Sequence, residues 1–280
     1  MVVSLVILAL LPFSLFTGLY AKSFLLLSDY NIFDLLFGRE WKPASGKFGF
    51  YPFIIGSVWV TLLAILISTP ICLLTAIYVT QYTRKWFLRV MHPAIDILAG
   101  IPSVVYGLWG VLVIVPFIAD HLGPFVGAKT MGYSILAGAF VLSIMIIPFI
   151  LNILIEIFRS IPDALKEAAL SLGATQWQTV KSVILRKSLS GIIAALGFGL
   201  ARAFGETMAV LMVVGNVVRI PKGIYDPGYT LPALIANNYG EMLSIPRYDS
   251  ALMFAALVLL AVSLFFNLLM HFFIARYNKY

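Results

Sequence analysis

Two ionisable residues, Arg202 and Glu206, stand four positions apart inside an otherwise apolar segment that runs from Gly197 to Val210. A charge at the centre of a bilayer-spanning helix costs roughly 2.5–3.5 kcal/mol on insertion scales, so such residues are expected to face something polar. On one continuous helix, positions i and i+4 share a face, and each group would partly neutralise the other. Gly197, Gly199 and Gly205 strip bulk from around the pair and let a neighbouring helix or a ligand approach the backbone. Two readings fit: a buried ion pair that fixes helix packing, or a position lining an ion or anion pathway. In the second, Arg202 offers a planar guanidinium fork to an oxyanion, a geometry Lys cannot match. Glu206 would hold that fork in place and keep the empty site from being a naked buried cation.

A second set of groups lies at Gly100-Ile101-Pro102-Ser103, a break within another apolar stretch. Pro102 frees a backbone carbonyl, which is tolerated at membrane depth only where protein or water satisfies it. Ser103 and Tyr106 could supply hydroxyls there, either to a ligand or to a kink packed on a neighbour. Arg219 and Lys222 follow the fifth apolar stretch and read as guides for an incoming anion or as solvated anchors. Asp96 reads as a hydrated or locally paired acid. His92, His121 and His271 lack metal-ligand spacing, no nucleophile constellation stands out, and neither catalytic nor metal-binding residues are expected. The single cysteine, Cys72, has no partner for an intrachain disulfide and reads as a small packed hydrophobe.

The elements that position these groups follow from composition. With 61% hydrophobic and 11% charged residues the chain departs far from soluble usage, and an all-α polytopic membrane protein forming one domain over 1–280 is expected. Runs near the length that crosses the hydrocarbon core give six candidate spans, at about 1–27, 53–80, 90–119, 131–158, 190–218 and 250–275. The first has no basic n-region and reads as a retained span rather than a signal peptide. The segments 81–89, 159–189 and the C-terminus, with Lys279, carry ten basic residues against eight on the other side. The positive-inside rule then places both termini in the cytoplasm. The net charge of +7 is scattered through loops, so no nucleic-acid partner is expected.

Segment 28–52, rich in aromatics, Gly and Pro, reads as an outer loop with an interfacial belt and a docking surface, and 219–249 as a second outer loop. The inner segment 159–189 reads as helix, stop, helix. Pro162 suits a first turn, Leu165, Ala168, Ala169 and Leu172 recur with helical period, and Gly173 supplies a stop. Thr175 and Gln178 form a capping box for the next helix. A short amphipathic helix between two spans suits the groove of a soluble partner, or lies on lipid.

Glu167-Ala168-Ala169, three residues, Gly173, nine residues and Val183-Ile184-Leu185 resemble the EAA loop of membrane subunits of bacterial ATP-binding-cassette importers. Arg186 stands where that pattern has Pro. The stretches Ile97–Gly110 and Arg202–Val210 resemble the phosphate-specific importers, and their PstC-type permease rather than the PstA-type sister, in which Gly-Glu-Thr tends to be followed by Ala-Pro. The resemblance implies a type I importer (MetI-like) permease fold in the bacterial inner membrane, with Glu167, Ala168, Ala169 and Gly173 in the ATPase-coupling helix. It implies a sister permease, an ATPase dimer that binds ATP and magnesium, and an extracytoplasmic phosphate-binding protein, with no cofactor on this chain. In keeping with that, the sequence contains no G-x-x-x-x-G-K-[ST] phosphate loop. The same architecture serving another oxyanion, sulfate or molybdate, stays open, as does a secondary transporter, although no internal repeat supports the latter.

Overall fold

The computed structural model describes residues 2–241, 245 and 247–277. Its helices are α1 (Val2–Leu27), α2 (Ile32–Phe37), α3 (Tyr51–Tyr82), α4 (Lys85–Gly100), α5 (Ser103–Val126), α6 (Ile135–Arg159), α7 (Asp163–Ser171), α8 (Gln176–Lys187), α9 (Leu189–Phe204), α10 (Met208–Val213), α11 (Leu231–Asn238) and α12 (Tyr248–Tyr277). The strands β1 (Trp41–Lys42) and β2 (Lys47–Phe48) pair antiparallel between α2 and α3. Five helices, α1, α3, α5, α6 and α12, are long and apolar enough to cross a bilayer, and the bent pair α8–α9 makes a sixth. The chain is a multi-pass membrane protein.

Two expected spans have different boundaries. The stretch 90–119 is not one helix, because α4 ends at Gly100 and Ile101 is extended, with ψ 129°, as the residue before a proline prefers. The crossing helix is α5, which begins at Ser103 and contains two π-helical turns. The stretch 190–218 is likewise interrupted: α9 stops at Phe204, residues 205–207 break the helix, and α10 runs only to Val213. α8 and α9 meet at a bend of 67°.

The core is built on α6, most of which is buried within the chain. α3 runs parallel to it, with Val60 against Gly138 and the Cys72 thiol 3.6 Å from the Ile147 carbonyl. α9 runs antiparallel to α6, with Gly191 and Gly199 admitting Ile157 and Ile150. α12 returns antiparallel to α9, Phe204 and Phe266 lying 5.7 Å apart, and α1 packs on α12 with Asp29 and Arg247 paired at 2.7 Å. These directions put both described chain ends at the end of the bundle that carries 159–189. Lys279, counted above for the charge balance, lies outside the described residues.

The segment 28–52 is more than a loose belt. Trp41 turns inward, its ring 5.1 Å from Phe50 and 5.3 Å from Phe53, and joins a second apolar core with Leu26, Leu35, Phe254 and Leu234. The segment 219–249 contains α11, capped by the Thr230 hydroxyl and anchored where the Leu231 N–H donates to the Ser57 hydroxyl at 2.9 Å. Sequence periodicity could not show this, since eight residues give too short a pattern.

Candidate functional site

The break at 205–207 separates Arg202 from Glu206. Arg202 lies in the last turn of α9, whereas Glu206 lies beyond its end, so the shared face expected for positions i and i+4 does not exist. Among the described residues they form no ion pair. The Arg202 guanidinium is exposed and sits 5.0 Å above the Phe149 ring of α6. A cation over an aromatic face gains about 0.5–2 kcal/mol, depending on desolvation. The Glu206 carboxylate instead accepts from the Ala209 N–H at 3.2 Å, satisfying a donor in the first turn of α10 where a negative charge is favoured. It borders a recess too small for more than a water molecule, beside Ser57, Thr61 and Thr230.

The break at Pro102 has its own solution. Proline removes the hydrogen bond that the Leu98 carbonyl would have received, and the buried Tyr106 hydroxyl donates to that carbonyl at 2.8 Å. Tyr106 is thereby engaged in structure rather than offered to a ligand. Ser103, half-buried, opens α5. α5 and α10 run side by side in the same direction: a Cβ on Gly107 would lie 3.1 Å from the Ala209 Cα, and one on Gly110 would lie 2.9 Å from Val213. That register sets the first turn of α5 next to the 205–207 break, so two interruptions a hundred residues apart in sequence adjoin in space.

Arg219 is elsewhere. Its Nη2 meets Asp226 Oδ1 at 3.0 Å, while the Lys222 N–H donates to Asp226 Oδ2 at 2.8 Å. It lines a cavity of about 450 Å³ with Lys129, Tyr133, Asn216 and Tyr225, at the end of the bundle opposite 159–189. Asn152 is not among the residues that the sequence singles out. Its amide Nδ2 donates to the Asp96 carboxylate at 3.3 Å, joining α4 to α6. A lone amide in an apolar run was the available signal.

Segment 159–189 takes the expected helix, stop, helix form, except that Pro162 stands at the N-cap rather than in the first turn. α7 spans Asp163–Ser171 and buries no residue against the rest of the chain. Gly173 adopts φ +82° and the Ala174 N–H returns to the Ala169 carbonyl at 3.2 Å, closing the helix end. Thr175 and Gln178 form the reciprocal capping box. Glu167 and Ala168 are exposed, Ala169 is half-buried, and the apolar Leu172 is 89% exposed and Trp177 53% exposed. The segment is rooted by buried Thr179, Val180 and Ile184 and by the Gln176 amide donating to the Gln81 carbonyl at 2.7 Å. Arg186 continues α8, and the chain bends two residues later, at Ser188, whose buried hydroxyl donates to the Ile184 carbonyl at 2.7 Å.

Comparison with known proteins agrees with this geometry. Residues 68–279 match the family model for binding-protein-dependent transport system inner membrane components. A phosphate transport system permease protein PstC of Xylella fastidiosa is 39% identical over 82% of this chain and 75% of its own length. A probable ABC transporter permease, YqgH, of Bacillus subtilis is 37% identical over 97% of this chain and 87% of its own. A probable PstC of Methanocaldococcus jannaschii is 33% identical over 100% of this chain and 91% of its own. Among solved structures, the inward-facing MetNI methionine ABC transporter aligns with a TM-score of 0.57 at 21% identity, covering 79% of this chain and 94% of that one. An alginate ABC transporter aligns with a TM-score of 0.56 at 18% identity, covering 79% of this chain and 76% of that one. Those two likenesses concern the fold, which is that of a MetI-like permease. Matched over most of its length by family model and by relatives alike, the chain belongs to the binding-protein-dependent transport system inner membrane components, as a PstC-type permease.

Proposed function

We propose that this chain is one permease half of an ATP-driven importer that moves inorganic phosphate across the bacterial cytoplasmic membrane. The observation that carries the reading is α7, a helix held out from the bundle with Glu167 and Ala168 exposed and with Leu172 uncovered by its own chain. A face of that kind fits a groove on a soluble partner. The partner is an ATP-binding-cassette ATPase dimer, which binds the ATP and magnesium, and the permease itself hydrolyses nothing. The sister half is a PstA-type permease. A phosphate-binding protein delivers the anion at the opposite end, where Arg219 and Lys129 border the cavity. Both termini then lie in the cytoplasm with 159–189.

In this reading closure of the ATPase on Glu167–Gly173 is transmitted through the rooted turn at 179–184 to the bend at Ser188, and so to α9. α9 carries Arg202, whose exposed guanidinium contacts the oxyanion in passing, and Ser103 lies at the adjoining helix break. Glu206 positions α10 and does not pair with Arg202. The test is reconstitution. Proteoliposomes holding this chain, its sister and the ATPase should accumulate phosphate only with ATP and loaded binding protein. Uphill uptake by the chain alone would overturn the assignment.

A further inference from the structure

Asn152 stands in a run that is otherwise apolar from Ile144 to Ile155, and only half of its amide is used. Nδ2 donates to Asp96, but Oδ1 is buried and receives no hydrogen bond from the chain. One helical turn along α4 from Asp96, the Nε2 of His92 is also buried without a partner. Buried polar atoms are nearly always paired, so these two orphans set the seam between α4 and α6 apart from its apolar surroundings. Asp96 itself is exposed. Phe149 and Asn152 share a face of α6, and Arg202 lies over Phe149. An anion travelling toward the 159–189 end therefore passes a guanidinium and then a carboxylate clasped by an amide. Glu156, exposed one turn further along α6, is the next charged group.

A carboxylate on an anion's route has a specific chemical consequence. Ionised, it accepts hydrogen bonds and donates none, so it repels a fully deprotonated oxyanion and binds one that keeps a hydroxyl. Inorganic phosphate keeps at least one proton near neutral pH; sulfate keeps none. We infer that Asp96, held by Asn152, is the point in the path where a protonated oxyanion is distinguished from a deprotonated one. The phosphate hydroxyl donates to the exposed Asp96 carboxylate, while the anionic oxygens remain turned toward Arg202. This inference rests on the reading of the chain as a phosphate permease.

The experiment must bypass the selectivity of the binding protein, so the competing anion is supplied from the lumen of proteoliposomes, which corresponds to the cytoplasm. The complete importer is reconstituted with lumenal ATP and equal lumenal concentrations of phosphate or sulfate. Phosphate moved per ATP hydrolysed is recorded, a ratio in which product inhibition of the ATPase cancels. For the unmodified chain, lumenal phosphate should depress this ratio about tenfold more than sulfate does, the equivalent of one charge-assisted hydrogen bond. Asp96→Asn, whose amide oxygen still accepts from Asn152, should erase the difference, and Asp96→Glu should retain it. Asn152→Ala should shrink it independently. An unchanged difference in Asp96→Asn, or none in the unmodified chain, would overturn the inference. Absence of any ATP-driven phosphate uptake would instead sink the functional reading on which it stands.

Discussion

The Tyr106 hydroxyl donates to the Leu98 carbonyl at 2.8 Å across the Pro102 break, replacing the hydrogen bond that proline removes. The other bond to that carbonyl, from the Ile101 N–H, is long at 3.4 Å. Tyr106→Phe should therefore destabilise the protein by about 1 kcal/mol, the net worth of one part-buried hydrogen bond. Thermal unfolding of the purified complex measures this, and an unchanged midpoint would show that water serves the carbonyl equally well.

Gly173 holds φ +82° with open space around its missing Cβ, so any penalty on substitution comes from the backbone alone. Gly173→Val should cost the coupling turn about 1–2 kcal/mol and raise the ATP hydrolysed per phosphate moved, whereas Gly173→Asn, tolerant of the left-handed region, should lie close to the unmodified protein. Equal coupling in both variants would detach the turn from energy transfer.

Arg202 and Glu206 separate in a second pair of measurements. Arg202→Lys keeps the charge but loses the fork and the flat stacking on Phe149, and should lower phosphate uptake about tenfold while leaving assembly intact. Glu206→Gln retains an oxygen to accept from the Ala209 N–H and should change uptake little, while Glu206→Ala should cost about 1 kcal/mol of stability as a lost cap does. An uptake defect in Glu206→Gln as deep as that in Arg202→Lys would restore the ion-pair reading.

Two glycines contrast in what a side chain would strike. A Cβ on Gly56 would run into the backbone carbonyl of Tyr229, which α11 holds in place, whereas one on Gly197 meets the flexible Met270 side chain at 2.6 Å. Gly56→Ala should cost about 3 kcal/mol, at the upper end for overpacking, and Gly197→Ala about 1 kcal/mol. The yield of folded complex and its unfolding midpoint distinguish them.

Some of this protein was written in the order of its residues. Composition and run length set the helical membrane class, because the hydrocarbon core demands long apolar segments whatever their partners. Segment 159–189 was legible in detail, since Gly173, Thr175 and Gln178 act through hydrogen bonds to backbone a few residues away. Breaks and pairings were not. The Arg202–Glu206 pair depended on helix continuity, which failed at residues 205–207, where Glu206 instead accepts from the first turn of α10. Pro102 advertised a freed carbonyl, but only folding brought the Tyr106 hydroxyl to it. The contact of Asp96 with Asn152, 56 residues away, arises from the packing of α4 on α6. Local hydrogen bonding is encoded within a turn or two of chain, whereas the meeting of charges across helices depends on how their faces pack, which periodicity alone does not specify.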